Sequence, residues 1–362
     1  MGNDIQQIDK NFAVEAAVRC DGMSFYDVKN SPFSVYGLYD YKNQMPYKRM
    51  PDEIGKNVNE GVARLYTNTS GGRIRFSTDS DLIILKAELL SVGRMPHFPI
   101  TGTCGFDIYE DFPELDSSRY LATFIPPYDV TDRFESKVTL SGRKKRYFTI
   151  HFPLYSSVSD VLIGVRDDAT LEQGREYKNI LPIVYYGNSV TQGGCASRPG
   201  NSFPAIIGRR LNIDFVNLGF SGAGRAEDIM TDYLAGLEMG VFVSDYDHNA
   251  PNVDYLKETH LKMFKKIREA HPTLPIILMT RCDFSYNEAE SVKRRDVIYE
   301  TYRYARSQKD KNVYFMDGGS VYNSDYVNIA VVDRIHPNDL GFTLIAETLE
   351  GIIKKALQNG TN

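Results

Sequence analysis

Ser189 follows Gly187 and Asn188 at the end of an apolar run, Leu181-Pro182-Ile183-Val184-Tyr185-Tyr186, in a chain of 362 residues. A serine hydroxyl becomes a nucleophile only when a base takes its proton. The chain has six histidines, and His336 has the most suggestive surroundings, Asp333-Arg334-Ile335-His336-Pro337-Asn338. An aspartate three residues before a histidine, in a loop, can fold back onto Nδ1–H of the imidazole. Nε2 is then left to receive a proton from serine. Two further loops carry oxyanion donors. Asn217-Leu218-Gly219-Phe220-Ser221-Gly222 ends on a glycine whose N–H has no side chain in its way. Asp245-Tyr246-Asp247-His248-Asn249 supplies a side-chain amide. Taken singly, each string has a bland reading. Gly-Asn-Ser makes a turn, and Asp333 or Asn338 caps a helix.

What joins them is the order of elements along the chain. From about Ile180 short apolar runs alternate with helical patterns of roughly 10 to 18 residues, the pattern of βαβ units and a parallel sheet. Strands are expected at Leu181–Gly187, Asp214–Leu218, Val241–Tyr246, Pro275–Thr280 and Asn312–Asp317. Helices are expected at Ser202–Leu211, Arg225–Leu237, Tyr255–Ala270, Glu288–Arg306 and Gly341–Leu357. Ser189, Gly222 and Asn249 each lie just beyond a strand, where such sheets place their sites. Before about residue 175 the pattern is different. Period-two runs such as Arg73–Ser77, Leu82–Ala87 and Arg146–Phe152, with Ala63–Thr67 among them, are separated by turn residues. Many short strands of this kind predict an all-β sandwich, jelly-roll-like. The expected organisation is a β-sandwich over residues 1–175 and an α/β domain over 176–362.

Composition excludes several classes. Hydrophobic residues make up 42% and charged residues 25%, a balance of soluble globular proteins. The net charge of −5 leaves no basic footprint for nucleic acid. No apolar run reaches the ~20 residues of a membrane helix. No basic segment followed by an apolar one opens the chain at Met1–Ile5, so no signal peptide is visible. Cys20, Cys104, Cys195 and Cys282 are far apart and form no CxxC pair. Free thiols are expected, and no structural zinc site.

The ordered set resembles the SGNH (GDSL-type) hydrolase family over Ile180 to about Leu357. Its first block is matched by Gly187-Asn188-Ser189-Val190-Thr191-Gln192-Gly193, with Asn188 where the family usually has Asp. The second is matched by Asn217 to Gly222, and the last, Asp-x-x-His-Pro, by Asp333, His336 and Pro337. The third block, usually Gly-x-Asn-Asp, departs to Asp247-His248-Asn249-Ala250. The resemblance implies a flavodoxin-like three-layer α/β/α domain. It also implies Ser189 as nucleophile, His336 as base, Asp333 as its orienting partner, and an oxyanion hole of Ser189, Gly222 and Asn249. Gly105-Phe106-Asp107-Ile108-Tyr109 resembles the Gly-x-Asp-x-Tyr signature of a two-domain bacterial subgroup. That subgroup resembles carbohydrate esterases of gut Bacteroidetes, which points to a periplasmic or secreted protein with its signal removed.

The expected chemistry is acyl transfer from an ester to water, with no metal or organic cofactor. The substrate expected is a small-molecule or oligosaccharide ester, above all an O-acetylated carbohydrate. A thioesterase or lipase acting on acyl chains, and a carbohydrate-binding protein with a decayed site, are the alternatives. Arg198, His97 and His248 are candidates for substrate contact. A salt bridge or cap for Arg198, and surface or packing roles for the histidines, are the plainer readings.

Overall fold

The computed structural model describes residues 20–178, 180–322 and 325–360, with Ile8, Asp9, Ala13, Val14 and Val18. The chain start Met1–Ile5, read above for a signal, lies outside them.

The N-terminal part is a sandwich of two antiparallel sheets. Its strands are β1 (Met23–Asp27), β2 (Ser34–Tyr36), β3 (Arg73–Thr78), β4 (Leu82–Ser91), β5 (Phe106–Phe112), β6 (Ser117–Phe124), β7 (Arg133–Thr139), β8 (Arg146–His151), β9 (Ser157–Arg166) and β10 (Leu171–Gln173). One sheet runs β1-β9-β4-β7 and the other β10-β3-β8-β5-β6, with β2 against β3. Alternation places Ile74 and Phe76, Ile83 and Leu85, Phe106 and Ile108, and Phe148 and Ile150 in one buried core between the sheets, as period-two strands require.

The C-terminal part is a parallel sheet of β11 (Ile183–Gly187), β12 (Phe215–Gly219), β13 (Val241–Asp245), β14 (Ile276–Met279) and β15 (Val313–Met316), ordered β12-β11-β13-β14-β15. Helices Phe203–Leu211 and Asp339–Gly360 contribute Phe203, Ile207, Phe342, Ile345 and Leu349 to a core on one side. Helices Asp228–Ala235, Val253–Ala270 and Glu288–Ser307 contribute Met230, Leu256, Phe264 and Ile298 to a core on the other. This is a three-layer α/β/α arrangement. The strand order reverses around β11, and a crevice opens at the carboxyl ends of strands at such a switch point.

One expected strand is absent. Ala63–Thr67 falls in and just after a helix, Glu60–Leu65, whose first turn is capped where the Asn59 side chain accepts the Val62 N–H at 2.9 Å. Val62 and Tyr66, four residues apart and so on one helical face, bury into the core of the α/β part together with Met50. The stretch that looks like a strand is thus a helix laid against the other module.

The outward face of the second sheet is also covered. Arg73, Arg75, Asp107, Tyr109, Asp111, Thr149 and His151 alternate with the core residues of β3, β5 and β8 and are themselves buried. They face the α/β part. Arg73 donates to the Phe215 carbonyl at 3.0 Å and ion-pairs with Asp214. Arg75 reaches Asn212 Oδ1 at 3.0 Å. Arg49 donates to the carbonyls of Asn217 at 3.2 Å and Leu65 at 2.7 Å. A buried cation is costly unless its donors are paired, and these acceptors pair most of them, while Arg49 Nε has no partner among the described residues.

Candidate active site

Ser189 opens a single helical turn, Ser189–Gln192, directly after β11. The helix expected at Ser202–Leu211 follows at Phe203–Leu211. Asn188 caps the turn. Its side-chain oxygen accepts the Val190 N–H at 2.7 Å and its Nδ2 donates to the Asp245 carbonyl at 2.8 Å. Asparagine therefore does the N-cap work usual for Asp or Asn and ties the turn to β13. Gly187 is required by contact: a Cβ there would lie 2.2 Å from Thr191 Oγ1 and 2.7 Å from the Asp245 carbonyl.

Asp333 folds back as the spacing suggests. One carboxylate oxygen accepts the backbone N–H groups of Ile335 at 3.1 Å and His336 at 2.8 Å, and the other lies 2.7 Å from His336 Nδ1. Arg334 takes φ 73° to make the fold-back. Partial burial pushes the Asp333 carboxyl upward, but those backbone N–H groups and the imidazole outweigh it and hold it below the usual carboxylate range. His336 Nε2 lies 2.9 Å from Ser189 Oγ. A serine hydroxyl on an imidazole whose other nitrogen is held by a carboxylate has the arrangement for general-base activation.

Asn249 ends a one-turn 3-10 helix, Asp247–Asn249, just beyond β13. Its Nδ2 donates to the Phe220 carbonyl at 2.9 Å, which pins it to the loop carrying Gly222. Among the described residues its second amide hydrogen has no acceptor. Gly222 adopts φ 69°, a left-handed conformation that favours glycine. Gly224, which sequence reasoning passed over, leaves room for nothing larger. A Cβ there would lie 2.3 Å from the Gly187 carbonyl and 3.6 Å from Asn249 Nδ2.

The three candidate substrate contacts have separate fates. Arg198 sits 3.4 Å from Asp107 Oδ2, with its guanidinium 3.9 Å over the Tyr120 ring. Its charge is engaged with the sandwich. His248 Nε2 lies 3.3 Å from Asp283 Oδ2. Burial depresses the basicity of this ring, but the Asp283 carboxylate more than offsets it and raises its pKa. His97, on the sandwich loop after β4, reaches Asp333: its Nε2 lies 3.4 Å from Asp333 Oδ2 with the side chain 43% exposed. It also lines an open cleft of about 680 Å³ with Arg94, Met95, Phe98 and Tyr128.

Several supports were not legible beforehand. Asp107 Oδ2 accepts the Gly200 N–H at 2.9 Å, and Asp339 Oδ1 accepts the Ser197 N–H at 2.9 Å. The loop after Ser189 is thereby fixed to the sandwich on one side and to the His336 loop on the other. The Arg294 guanidinium, from helix Glu288–Ser307, donates to the Ala250 carbonyl at 2.9 Å and to the Asp247 carbonyl, so it holds the Asn249 loop from below. Asp245 is fully buried, and burial, reinforced by Asp247, raises its carboxyl to about 8. The four cysteines are free thiols. Among the described residues no helix is long and apolar enough to cross a membrane.

Residues 181–354 match the model of the GDSL-like lipase/acylhydrolase family, and residues 23–171 match the N-terminus of SGNH-hydro-type esterases. A protein of Bacteroides ovatus described as a GDSL-like lipase superposes with TM-score 0.83 at 26% identity, over 93% of this chain and 98% of its own. The salicylyl-acyltransferase SsfX3 of a tetracycline biosynthetic pathway gives TM-score 0.74 at 19% identity, over 94% and 99%. A family two carbohydrate esterase from Clostridium thermocellum, in complex with cellohexaose, gives 0.58 at 14%, over 80% and 94%. No curated protein matches the sequence.

Proposed function

Residues 181–354 belong to the GDSL-like lipase/acylhydrolase family and residues 23–171 to the N-terminal module of SGNH-type esterases, and on that premise we propose that this ester-hydrolysing enzyme removes acyl groups, above all acetyl, from a carbohydrate through a Ser189 acyl-enzyme. The observation that carries the reading is the continuous relay from Asp333 Oδ2 to His336 Nδ1 at 2.7 Å and from His336 Nε2 to Ser189 Oγ at 2.9 Å.

In this mechanism His336 takes the Ser189 proton as Oγ attacks the ester carbonyl. Asp333 stabilises the imidazolium that forms and keeps the ring in register. The N–H groups of Ser189 and Gly222 and the free amide hydrogen of Asn249 bind the oxyanion, each donor contributing about 3 kcal/mol in the transition state. The intermediate collapses, His336 returns the proton to the departing sugar hydroxyl, and the acyl group stays on Oγ. Water then attacks with His336 again as base, releasing the acid and free serine.

Two observations support a carbohydrate as the alcohol. The fold is shared with family two carbohydrate esterases, one of them bound to cellohexaose. The cleft beside His97 is open, and its mixed wall of Arg94, Met95, Phe98 and the 86% exposed Tyr128 offers ring-stacking and hydrogen-bonding surface together. The test is release of acetate from acetylated oligosaccharides, set beside p-nitrophenyl esters of increasing acyl length. Hydrolysis is expected to be fastest for the acetate and to vanish in Ser189→Ala. Rates that climb with acyl length would refute the deacetylase reading, and full activity of Ser189→Ala would refute the mechanism.

A further inference from the structure

We propose that His97, Cys195 and His336 form a binding site for a borderline-soft divalent cation of the Zn²⁺ type, and that its occupation switches the catalytic centre off. One ligand atom from each of the three residues lies within 4.8 Å of the other two. They come from three separate parts of the chain: the sandwich loop after β4, the loop after the Ser189 turn, and the loop before the last helix. Two imidazoles and a thiolate are a donor set that zinc accepts, with a fourth position left for water or a carboxylate oxygen. Asp333 Oδ2 lies 3.4 Å from His97 Nε2 but is held by His336 Nδ1 at 2.7 Å, so the fourth position falls to water.

The geometry is near what a tetrahedral ion requires. Bonds of about 2.0–2.3 Å place ligand atoms ~3.5 Å apart, so the cluster must close by roughly 1 Å at its widest. His97 can supply that movement, since its side chain is 43% exposed. Cys195 is the fixed member. It is buried, and its backbone is held at φ 74°, a region a side-chain-bearing residue seldom occupies. Nothing in the acyl chemistry uses this thiol. Metal binding forms an S–metal bond, breaks the S–H bond and releases the proton to solvent.

Binding and catalysis exclude each other. Both ring nitrogens of His336 are already engaged, Nδ1 with Asp333 and Nε2 with Ser189. An ion that takes either one removes the base or its orienting partner.

The test reads metal binding directly, so its outcome is separate from that of the proposed hydrolysis. Co²⁺ added to metal-free Ser189→Ala protein should give a thiolate-to-cobalt charge-transfer band in the near ultraviolet, lost on adding Zn²⁺ and absent in the Ser189→Ala/Cys195→Ser double variant. Loss of an outer-shell partner already weakens metal sites 10–100-fold, so loss of a direct ligand should weaken Zn²⁺ binding by at least roughly 100-fold. Calorimetry on Cys195→Ser and on His97→Asn, whose exposed site does not threaten folding, measures that loss. Micromolar Zn²⁺ should stop p-nitrophenyl acetate hydrolysis by the unmodified enzyme reversibly to chelator, while hydrolysis by Cys195→Ser becomes insensitive to it. Absence of the cobalt band, or equal zinc affinity in all three proteins, would overturn the proposal.

Discussion

Asp107 in the sandwich accepts the backbone N–H of Gly200, in the loop that follows Ser189, at 2.9 Å. Its other oxygen lies 3.1 Å from His151 Nδ1. Burial lowers the His151 pKa to about 4 despite Asp107, so at neutral pH this imidazole is uncharged and its Nδ1–H donates. Arg198, 3.4 Å away, is the cation nearest the carboxylate. Only half-buried, Arg198 can be reached by water once the carboxylate is gone, while leaving a buried hydrogen-bonding group without its partner costs about 1–3 kcal/mol. Asp107→Ala should lose that much in urea denaturation. An unchanged midpoint would show that the Asp107 contacts do not hold the two parts together.

Asp333→Asn keeps the shape of the carboxylate but can present an N–H to His336 Nδ1 and favour the wrong tautomer. A fall in kcat of roughly 10³–10⁴-fold is expected. KM for p-nitrophenyl acetate should change little, because Asp333 is assigned no contact with the ester. A loss confined to KM would remove Asp333 from the relay.

Asn249→Ala should lower kcat by roughly 10²–10³-fold, the usual cost of one oxyanion donor. Its contact with the Phe220 carbonyl at 2.9 Å is lost as well, so a thermal melt must accompany the kinetics. Asn249→Asp provides the control, since it keeps the volume without an amide donor. Should the aspartate variant retain full kcat, the donor assignment is wrong.

Asp245 governs a pH effect on stability. Its carboxyl is raised in the fold to about 8 from an ordinary 3.8, by burial first and Asp247 second. The folded state thus binds a proton that the unfolded state has released. Stability from this group is full below about pH 4 and declines as pH rises through 8. Asp245→Asn, which keeps an oxygen for the Thr191 hydroxyl, should abolish that decline. The melting temperature of the variant, relative to the unmodified protein, should climb between pH 5 and 9. A constant difference across that range would refute the linkage.

The α/β part was legible almost element by element because buried parallel strands and amphipathic helices carry strong, distinct periods. The meeting of Asp333, His336 and Ser189 was legible because Asp333 and His336 are local to each other and Ser189 follows a readable strand. What failed has physical causes. Glu60–Leu65 is too short to show a helical period, and its Val62 and Tyr66 pair only with residues far along the chain. A period-two pattern reports that Arg73, Arg75, Asp107 and His151 share a polar face, but not whether water or protein covers it. The role of Arg198 depends on that same cover. The left-handed backbone of Cys195 follows from the tight loop around it, which no residue-type preference announces. Asn188 departs from the family block, yet its cap on Val190 needs only a side-chain oxygen, which either residue supplies.

The covered polar face sets the unit in which this enzyme can be rearranged. Arg49, Arg73 and Arg75 project from the sandwich onto carbonyl and amide oxygens of Asn217, Phe215 and Asn212. Separating the parts near residue 175 would take from three guanidinium groups the acceptors they now hold and would expose to water the apolar seam made by Met50, Val62 and Tyr66. A chimaera built from two relatives would meet the same problem unless the whole seam came from one parent. The smallest transplantable piece is therefore the sandwich and hydrolase together, even though each half has its own core.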